Sequence, residues 1–248
     1  MKFKAFKTSA AFLLSATILV TSCEKNSANS NDLFAPFLTA SADGISFMNE
    51  ENLLSSFIDT PEPGIEEMNL LIRMREEEKL ARDVYTSLYT KWGHMVFTRI
   101  SSAETTHLNA VNSLLKLYAS PDVVISDPGV FKDKHVQDLY DDLITKGSSS
   151  LSDAFKVGAL IEEMDIKDLK NALNKTSNPN IIMVFENLER GSRNHLRAFT
   201  RQLSNIGITY VPEYLLQEEY NKIVSSPVET GNRYRMQNKG IQRGRHNR

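Results

Sequence analysis

The chain has 248 residues, 41% hydrophobic and 24% charged, with 11 Gly and 8 Pro, an ordinary globular composition that excludes collagenous, low-complexity and wholly disordered classes. A formal net charge of −2 singles out no partner, and no nucleic-acid motif, phosphate-cradling glycine loop or nucleophile triad is present. The single cysteine excludes a disulfide framework, a thiolate zinc site and an iron–sulfur cluster, each of which needs at least two sulfurs.

Residues 1–22 read as a removable leader: Lys2, Lys4 and Lys7 precede an apolar stretch from Ala10 to Val20, too short for the roughly 18–20 residues of a spanning helix. The leader ends in Val20-Thr21-Ser22-Cys23, which resembles the lipobox of bacterial lipoprotein signals. That resemblance implies cleavage before Cys23 and a lipid on its sulfur. The domain is then expected at the cell envelope, anchored to a membrane on the periplasmic or outer-membrane side. A plain secretory signal with an incidental cysteine is the competing reading. Residues 23–63, rich in Ser, Asn and Asp, read as a flexible tether with one weak amphipathic stretch around Phe47 to Ile58. Pro61-Glu62-Pro63-Gly64 then punctuates the start of a domain expected over 64–224.

Within that domain the periodicity is helical throughout. The first long helix is expected from Ile65 to Lys91, with an inner seam of Leu71, Met74, Glu78, Ala81, Tyr85 and Leu88. The second, from Met95 to Ala119, has Phe97, Ile100, Glu104, His107, Val111, Leu114 and Tyr118 on its seam. The short link at Trp92-Gly93-His94 makes these two antiparallel. About thirty residues follow, with a short helix around Asp133 to Thr145, long enough to cross from one end of a bundle to the other. The third long helix starts near Ser150, a capping residue, and its seam reads Leu151, Phe155, Gly158, Glu162, Asp165, Leu169. Asn178-Pro179 opens the fourth, whose seam reads Ile181, Phe185, Leu188, Ser192, His195, Phe199, Ile206 before Gly207 stops it. A last short helix is expected within Ile208 to Val224, and residues 225–248 form a basic tail expected to be solvated and disordered. The fold class is therefore all-α: a four-helix bundle with one long crossover between its second and third helices, plus short extra helices.

Each seam is interrupted near its middle by ionisable groups: Glu78, then Glu104 with His107, then Glu162 with Asp165, then His195. A carboxylate moved into a dry core costs several kcal/mol even after relaxation. Isolated, these groups would ruin the core, whereas two divalent metal ions would balance the charge of the four carboxylates. Glu104 and His107, three apart, project from the same side of their helix and can reach one ion. A donor set of carboxylate and imidazole without sulfur suits iron or manganese. The bland alternative pairs the buried Glu with arginine, and Arg82, four residues from Glu78, is available for that. Tyr85 lies two turns from Glu78 and either bonds a ligand or fills the core; Glu76, Glu77 and Glu163 read as solvated or supporting carboxylates.

The run Glu78-Lys79-Leu80-Ala81-Arg82-Asp83-Val84-Tyr85 resembles the first-helix Glu-x-x-Ala-Arg-x-x-Tyr of rubrerythrin-like proteins, and Glu104-Thr105-Thr106-His107 resembles their second-helix motif. With Gly158 to Ile166 and Gly191 to Phe199, the chain is similar to an uncharacterised bacterial and archaeal ferritin-like family, a domain of unknown function, over about residues 65–224. The resemblance implies a ferritin-like fold and a carboxylate-bridged di-metal centre held by Glu78, Glu104, His107, Glu162, Asp165 and His195. Ser192, three before His195, stands where that pattern has a second bridging carboxylate, with Asp165 or the more distant Glu189 as a substitute.

The expected function is an envelope-anchored protein that binds a di-iron or di-manganese centre and oxidises ferrous iron or reacts with oxygen or peroxide. Glu78, Glu104 and His107 are then the catalytic candidates. Without a rubredoxin-like cysteine module, a peroxidase cycle would need an external electron donor. A homodimer is compatible with the reading, and no nucleic-acid partner is expected. The competitors are a non-catalytic metal-binding module and a structural or partner-binding helical lipoprotein.

Overall fold

The computed structural model describes residues 38–41, 46–120 and 127–231, which form seven helices and one small antiparallel ribbon. In chain order these are β1 (Leu38–Ala40), β2 (Ser46–Met48), α1 (Glu50–Ser56), α2 (Ile65–Trp92), α3 (Met95–Leu117), α4 (Lys134–Gly147), α5 (Leu151–Leu173), α6 (Pro179–Asn205) and α7 (Gln217–Ser225). Among these residues no helix is long and apolar enough to cross a membrane. The leader, Cys23 and most of the basic tail lie outside the described residues.

The long helices begin and end where the sequence supplies the chemistry. Ser150 accepts from the Asp153 amide at 3.0 Å, and Asn178 accepts from Asn180 at 3.0 Å and Ile181 at 3.3 Å, satisfying amides that the first turn leaves unpaired. Gly93 closes α2 with φ of 65°, a left-handed conformation that costs glycine nothing, and α3 starts two residues later.

Contacts between helix ends give the directions. Thr176, just before α6, donates to Glu67 in the first turn of α2 at 2.6 Å, and Tyr118, just after α3, donates to Asn178 at 3.0 Å. The His94 ring, at the start of α3, meets Phe155 in the first turn of α5 at 4.9 Å. So α2 and α6 run one way, α3 and α5 the other, and the stretch holding α4 returns from one end to the other. Helix α2 packs on α3 and α5, and α6 packs on α5 and α3.

The apolar interior is divided. One cluster holds Tyr85, Leu88, Phe97, Ile100, Phe155 and Phe199; a separate one holds Leu71, Met74, Val111, Leu114, Ile181 and Phe185. Between them lies a layer of fully buried ionisable groups, at the position where the four seams lose their apolar character.

Three differences from the sequence reading have plain causes. The stretch read as tether contributes α1, whose Leu53 is completely buried, and the Asn180 amide brackets Ile58, accepting from its N–H at 3.0 Å and donating to its carbonyl at 2.9 Å. Residues 208–216 are not helical. The buried Glu163 carboxylate, neither solvated nor beside the ionisable layer, collects the Tyr210 hydroxyl at 2.6 Å and the amides of Glu213, Tyr214 and Leu215 at 3.3, 2.9 and 2.9 Å. Those amides are thereby committed to a side chain rather than to a helix.

The ordered C-terminal part also reaches beyond residue 224, because Glu229 is clasped by α6: Arg193 Nε and Nη2 donate at 2.9 and 2.7 Å and Arg197 Nη2 at 2.6 Å. Burial raises the Glu229 pKa, and the two guanidinium groups overcome that and bring it down to about 2. A carboxyl with its folded pKa below the unfolded value of 4.5 stabilises the fold above that pH and loses its contribution as pH falls toward 2. Glu229→Gln is expected to cost about 1–2 kcal/mol near pH 6 and much less near pH 2, a difference that urea unfolding at the two pH values measures.

Candidate metal centre

Four helices each place an ionisable side chain in the interior layer. Glu78 from α2, Glu104 and His107 from α3, Glu162 and Asp165 from α5 and His195 from α6 are all at most 5% exposed. Glu104 occupies the middle, with one oxygen toward each imidazole: Oε2 is 2.7 Å from His107 Nδ1 and Oε1 is 2.8 Å from His195 Nδ1. Glu78 Oε2 lies 3.2 Å from His107 Nδ1, and Glu162 Oε2 lies 3.5 Å from His195 Nδ1. The two rings stack with centroids 5.4 Å apart. Both Nδ1 atoms therefore face the carboxylates, each set between two of them.

Two supports hold this arrangement. The Tyr85 hydroxyl donates to Glu162 Oε1 at 2.6 Å while its ring packs on Phe199 at 5.2 Å, so this residue both bonds the layer and fills the core. Gly191 on α6 leaves room for the His107 ring: a Cβ there would lie 2.5 Å from its Cε1 and Nε2. The sequence offered Tyr85 as a residue that bonds a ligand but not which one, and gave no sign of the need for glycine at 191, because both contacts join residues distant in sequence.

Electrostatics divide the layer. Burial opposes ionisation of Glu104, and the charges of His195 and then His107 overcome it, holding its pKa below the usual range. Burial likewise opposes the imidazolium forms, yet Glu104 together with Glu78 pushes His107 up to about 9, and Glu104 together with Glu162 pushes His195 up to about 10. Burial drives Glu78 to about 8 and Glu162 to about 7, and it raises Asp165 too, reinforced by Glu162 and Glu78. Without a cation the layer therefore holds several protons near neutral pH. Metal ligation requires these groups deprotonated, so a metal ion competes with protons for them.

The donors fit such an ion. Glu78 Oε1, Glu104 Oε1, Glu162 Oε2, Asp165 Oδ2, both nitrogens of His195 and His107 Nε2 are buried without a hydrogen-bond partner among the described residues. Each unsatisfied buried polar atom costs about 1–3 kcal/mol. His195 Nδ1 and Glu104 Oε1 approach closely yet miss hydrogen-bond geometry, as neighbouring donors turned toward a common centre do. Arg82, the alternative partner for Glu78, donates instead to Asp83 at 2.8 Å. Glu104, His107 and His195 offer donor atoms all within 4.8 Å of one another, a buried group that could hold a metal ion. Asp165 and Glu162 border this triad, Glu189 pairs with Arg193 at 2.6 Å away from it, and Ser192 donates back to the Leu188 carbonyl at 3.2 Å.

An all-α protein with a buried glutamate–histidine–histidine group is what the fold and the site define. Residues 67–227 match the family model described as "Uncharacterized protein domain (DUF2202)", and the chain belongs to that family. It is similar to the uncharacterized protein MJ0754 of Methanocaldococcus jannaschii, at 52% identity over 167 residues, 67% of this chain and 90% of that protein. A crystal structure of the hypothetical protein MJ0754 from Methanococcus jannaschii matches with a TM-score of 0.68 at 49% identity, covering 70% of this chain and 99% of that one.

Proposed function

We propose that this protein is a ferritin-like four-helix metalloprotein, held at the cell envelope through a lipid on Cys23, that binds iron or manganese and oxidises ferrous iron or reacts with oxygen or peroxide. The observation that carries the reading is Glu104, fully buried with one oxygen toward each of two histidines from different helices. Glu104, between His107 and His195, would hold the ions together with those two histidines, Glu78 and Glu162. Asp165 would stand in for the carboxylate that Ser192 does not supply. Redox-active ions held there supply one-electron chemistry that carboxylate and imidazole side chains lack.

The chain's own part is to hold the donors in a water-excluded layer, where a metal ion would displace their protons. Tyr85 orients Glu162 by its hydrogen bond, and the stack of His107 on His195 keeps both Nδ1 atoms on the carboxylate side. Electrons for repeated turnover would come from an external donor, since the chain has only one cysteine. The serine at 192 favours one competing reading, a metal-buffering module with a weaker second position.

Aerobic oxidation of ferrous iron by metal-free protein tests the proposal. Ferric absorbance is expected to grow with the wild-type chain and to fall to the buffer rate with His107→Ala. Metal uptake without oxidation supports buffering, and neither uptake nor oxidation ends the metal reading. Moving the protein from the membrane to the soluble fraction by Cys23→Ser tests the anchor.

A further inference from the structure

Two donors of the layer have neighbours on their own helices that grip one and the same segment. On α5, Glu162 turns its carboxylate toward His195, and Glu163, one residue on and about 100° round the helix, is completely buried against residues 210–215. The Glu163 carboxylate accepts from the Tyr210 hydroxyl at 2.6 Å and from the amides of Tyr214 and Leu215 at 2.9 Å each. On α6, Asn194 and Arg197 lie about 100° and 200° round from His195 and hold the continuation of that segment. Arg197 donates to the Ile223 carbonyl at 2.9 Å and to the Ser226 hydroxyl at 2.7 Å. The Asn194 side chain accepts from the Glu229 N–H at 2.9 Å and donates to the Glu229 carbonyl at 3.1 Å. Residues 208–229 are thus a strap fastened to α5 at one grip and to α6 at the other. Each grip stands within two residues of a donor, a rise of about 3 Å along the helix.

Packing reinforces both grips. Tyr210, Leu215, Tyr220 and Ile223 of the strap belong to the same buried apolar cluster as Phe155 of α5 and Phe199 of α6. Arg197, 8% exposed, is further fixed by donating to Asn194 Oδ1 at 2.7 Å, and Lys170 of α5 pairs with Glu219 of α7. The strap therefore ties α5 to α6 from outside, beside Glu162 and His195. Among the described residues the carboxylate–imidazole approaches in the layer are 2.7, 2.8, 3.2 and 3.5 Å, and the longest is Glu162 to His195. That approach is the one that joins α5 to α6, so it follows directly from the spacing that the strap sets. A ligating group has to be held within about 0.5 Å of its productive place, so a small loosening of α5 from α6 takes Glu162 out of reach.

We propose that Glu163 is a positioning residue of the metal centre: by gripping the strap that Asn194 and Arg197 hold from α6, it keeps α5 at the spacing at which Glu162 joins His195 in ligation. This rests on the metal reading above. Full-length protein loaded with Co(II) tests it, through the visible absorption of the ligated ion and the rate of metal loss to excess EDTA. Wild type, Glu163→Gln, Glu162→Gln and the double variant are compared. Glu163→Gln is expected to release Co(II) about tenfold faster than wild type, to shift the absorption as Glu162→Gln does, and to add nothing once residue 162 is already changed. Tyr210→Phe removes one hydroxyl from the grip and leaves the amides; it should move both readouts in the same direction and serves where Glu163→Gln does not fold. Wild-type absorption and release in Glu163→Gln and Tyr210→Phe overturn the positioning role and leave the centre standing. An equal acceleration in the Glu162→Gln background also overturns it, since a residue that only stabilises the fold would act that way. A wild-type chain that takes up no Co(II) overturns the centre and the positioning role with it.

Discussion

Gly191→Ala is expected to lower metal affinity by about tenfold or more and to destabilise the fold by about 1–3 kcal/mol. In an ordinary helix interior the same change gains about 1 kcal/mol, since alanine is the better helix former. Here the new methyl would sit 2.5 Å from the His107 ring. That ring cannot simply yield: Glu104 and Glu78 hold its Nδ1 at 2.7 and 3.2 Å, and His195 stacks on its face. A displacement large enough to relieve the clash breaks those contacts. Isothermal titration with manganese and thermal unfolding of the metal-free variant separate the two effects. Unchanged affinity would mean that His107 does not ligate in the orientation described.

The second large effect concerns the neighbouring buried charge. Lys79 is 1% exposed, and its ammonium donates to Asp83 at 2.7 Å and to the carbonyls of Asp127 and Val130 at 3.0 and 3.1 Å, with the Phe131 ring 4.1 Å away. Asp83 also accepts from the Gly129 amide at 2.9 Å, so the pair fastens the stretch before α4 to α2. Asp83→Ala leaves the ammonium buried without its counter-charge and is expected to cost about 3–5 kcal/mol. For a domain of this size that lowers Tm by on the order of 10 °C. Lys79→Met/Asp83→Leu removes both charges and should recover most of the loss. A single variant as stable as the wild type would show that the pair contributes nothing.

Residues 78 and 79 together show what a cation at the layer would supply. Both are ionisable and almost fully buried, yet Lys79 has its partners within the protein while Glu78 keeps an oxygen with no hydrogen-bond partner among the described residues. Arg82 is one turn from Glu78 and donates to Asp83 instead.

Much of this was legible in the sequence because it is periodic. Helix limits follow from caps and from Pro and Gly, so the expected start at Met95 and the cap at Asn178 agree with α3 and α6. The ionisable residues on the seams are buried together because a helix seam can face only the interior that its apolar neighbours face. What escaped depends on side-chain pairing across long separations. Glu163 looks like a surface residue beside Glu162, and only the returning segment at 210–215 supplies its donors. Asp83 has its helix neighbour Lys79 in view, but the Gly129 amide is not marked by any local pattern. Gly191 carries no side chain whose type could announce a contact.

The most direct measurement is metal retained per chain after loading with iron or manganese and exhaustive dialysis, in the wild type and in Glu104→Ala, paired with thermal unfolding. Wild-type protein is expected to retain up to two ions per chain and to gain stability on loading, while the variant retains fewer and gains less. No retained iron or manganese, with a Tm that Glu104→Ala leaves unchanged, would contradict a cation at the heart of this fold.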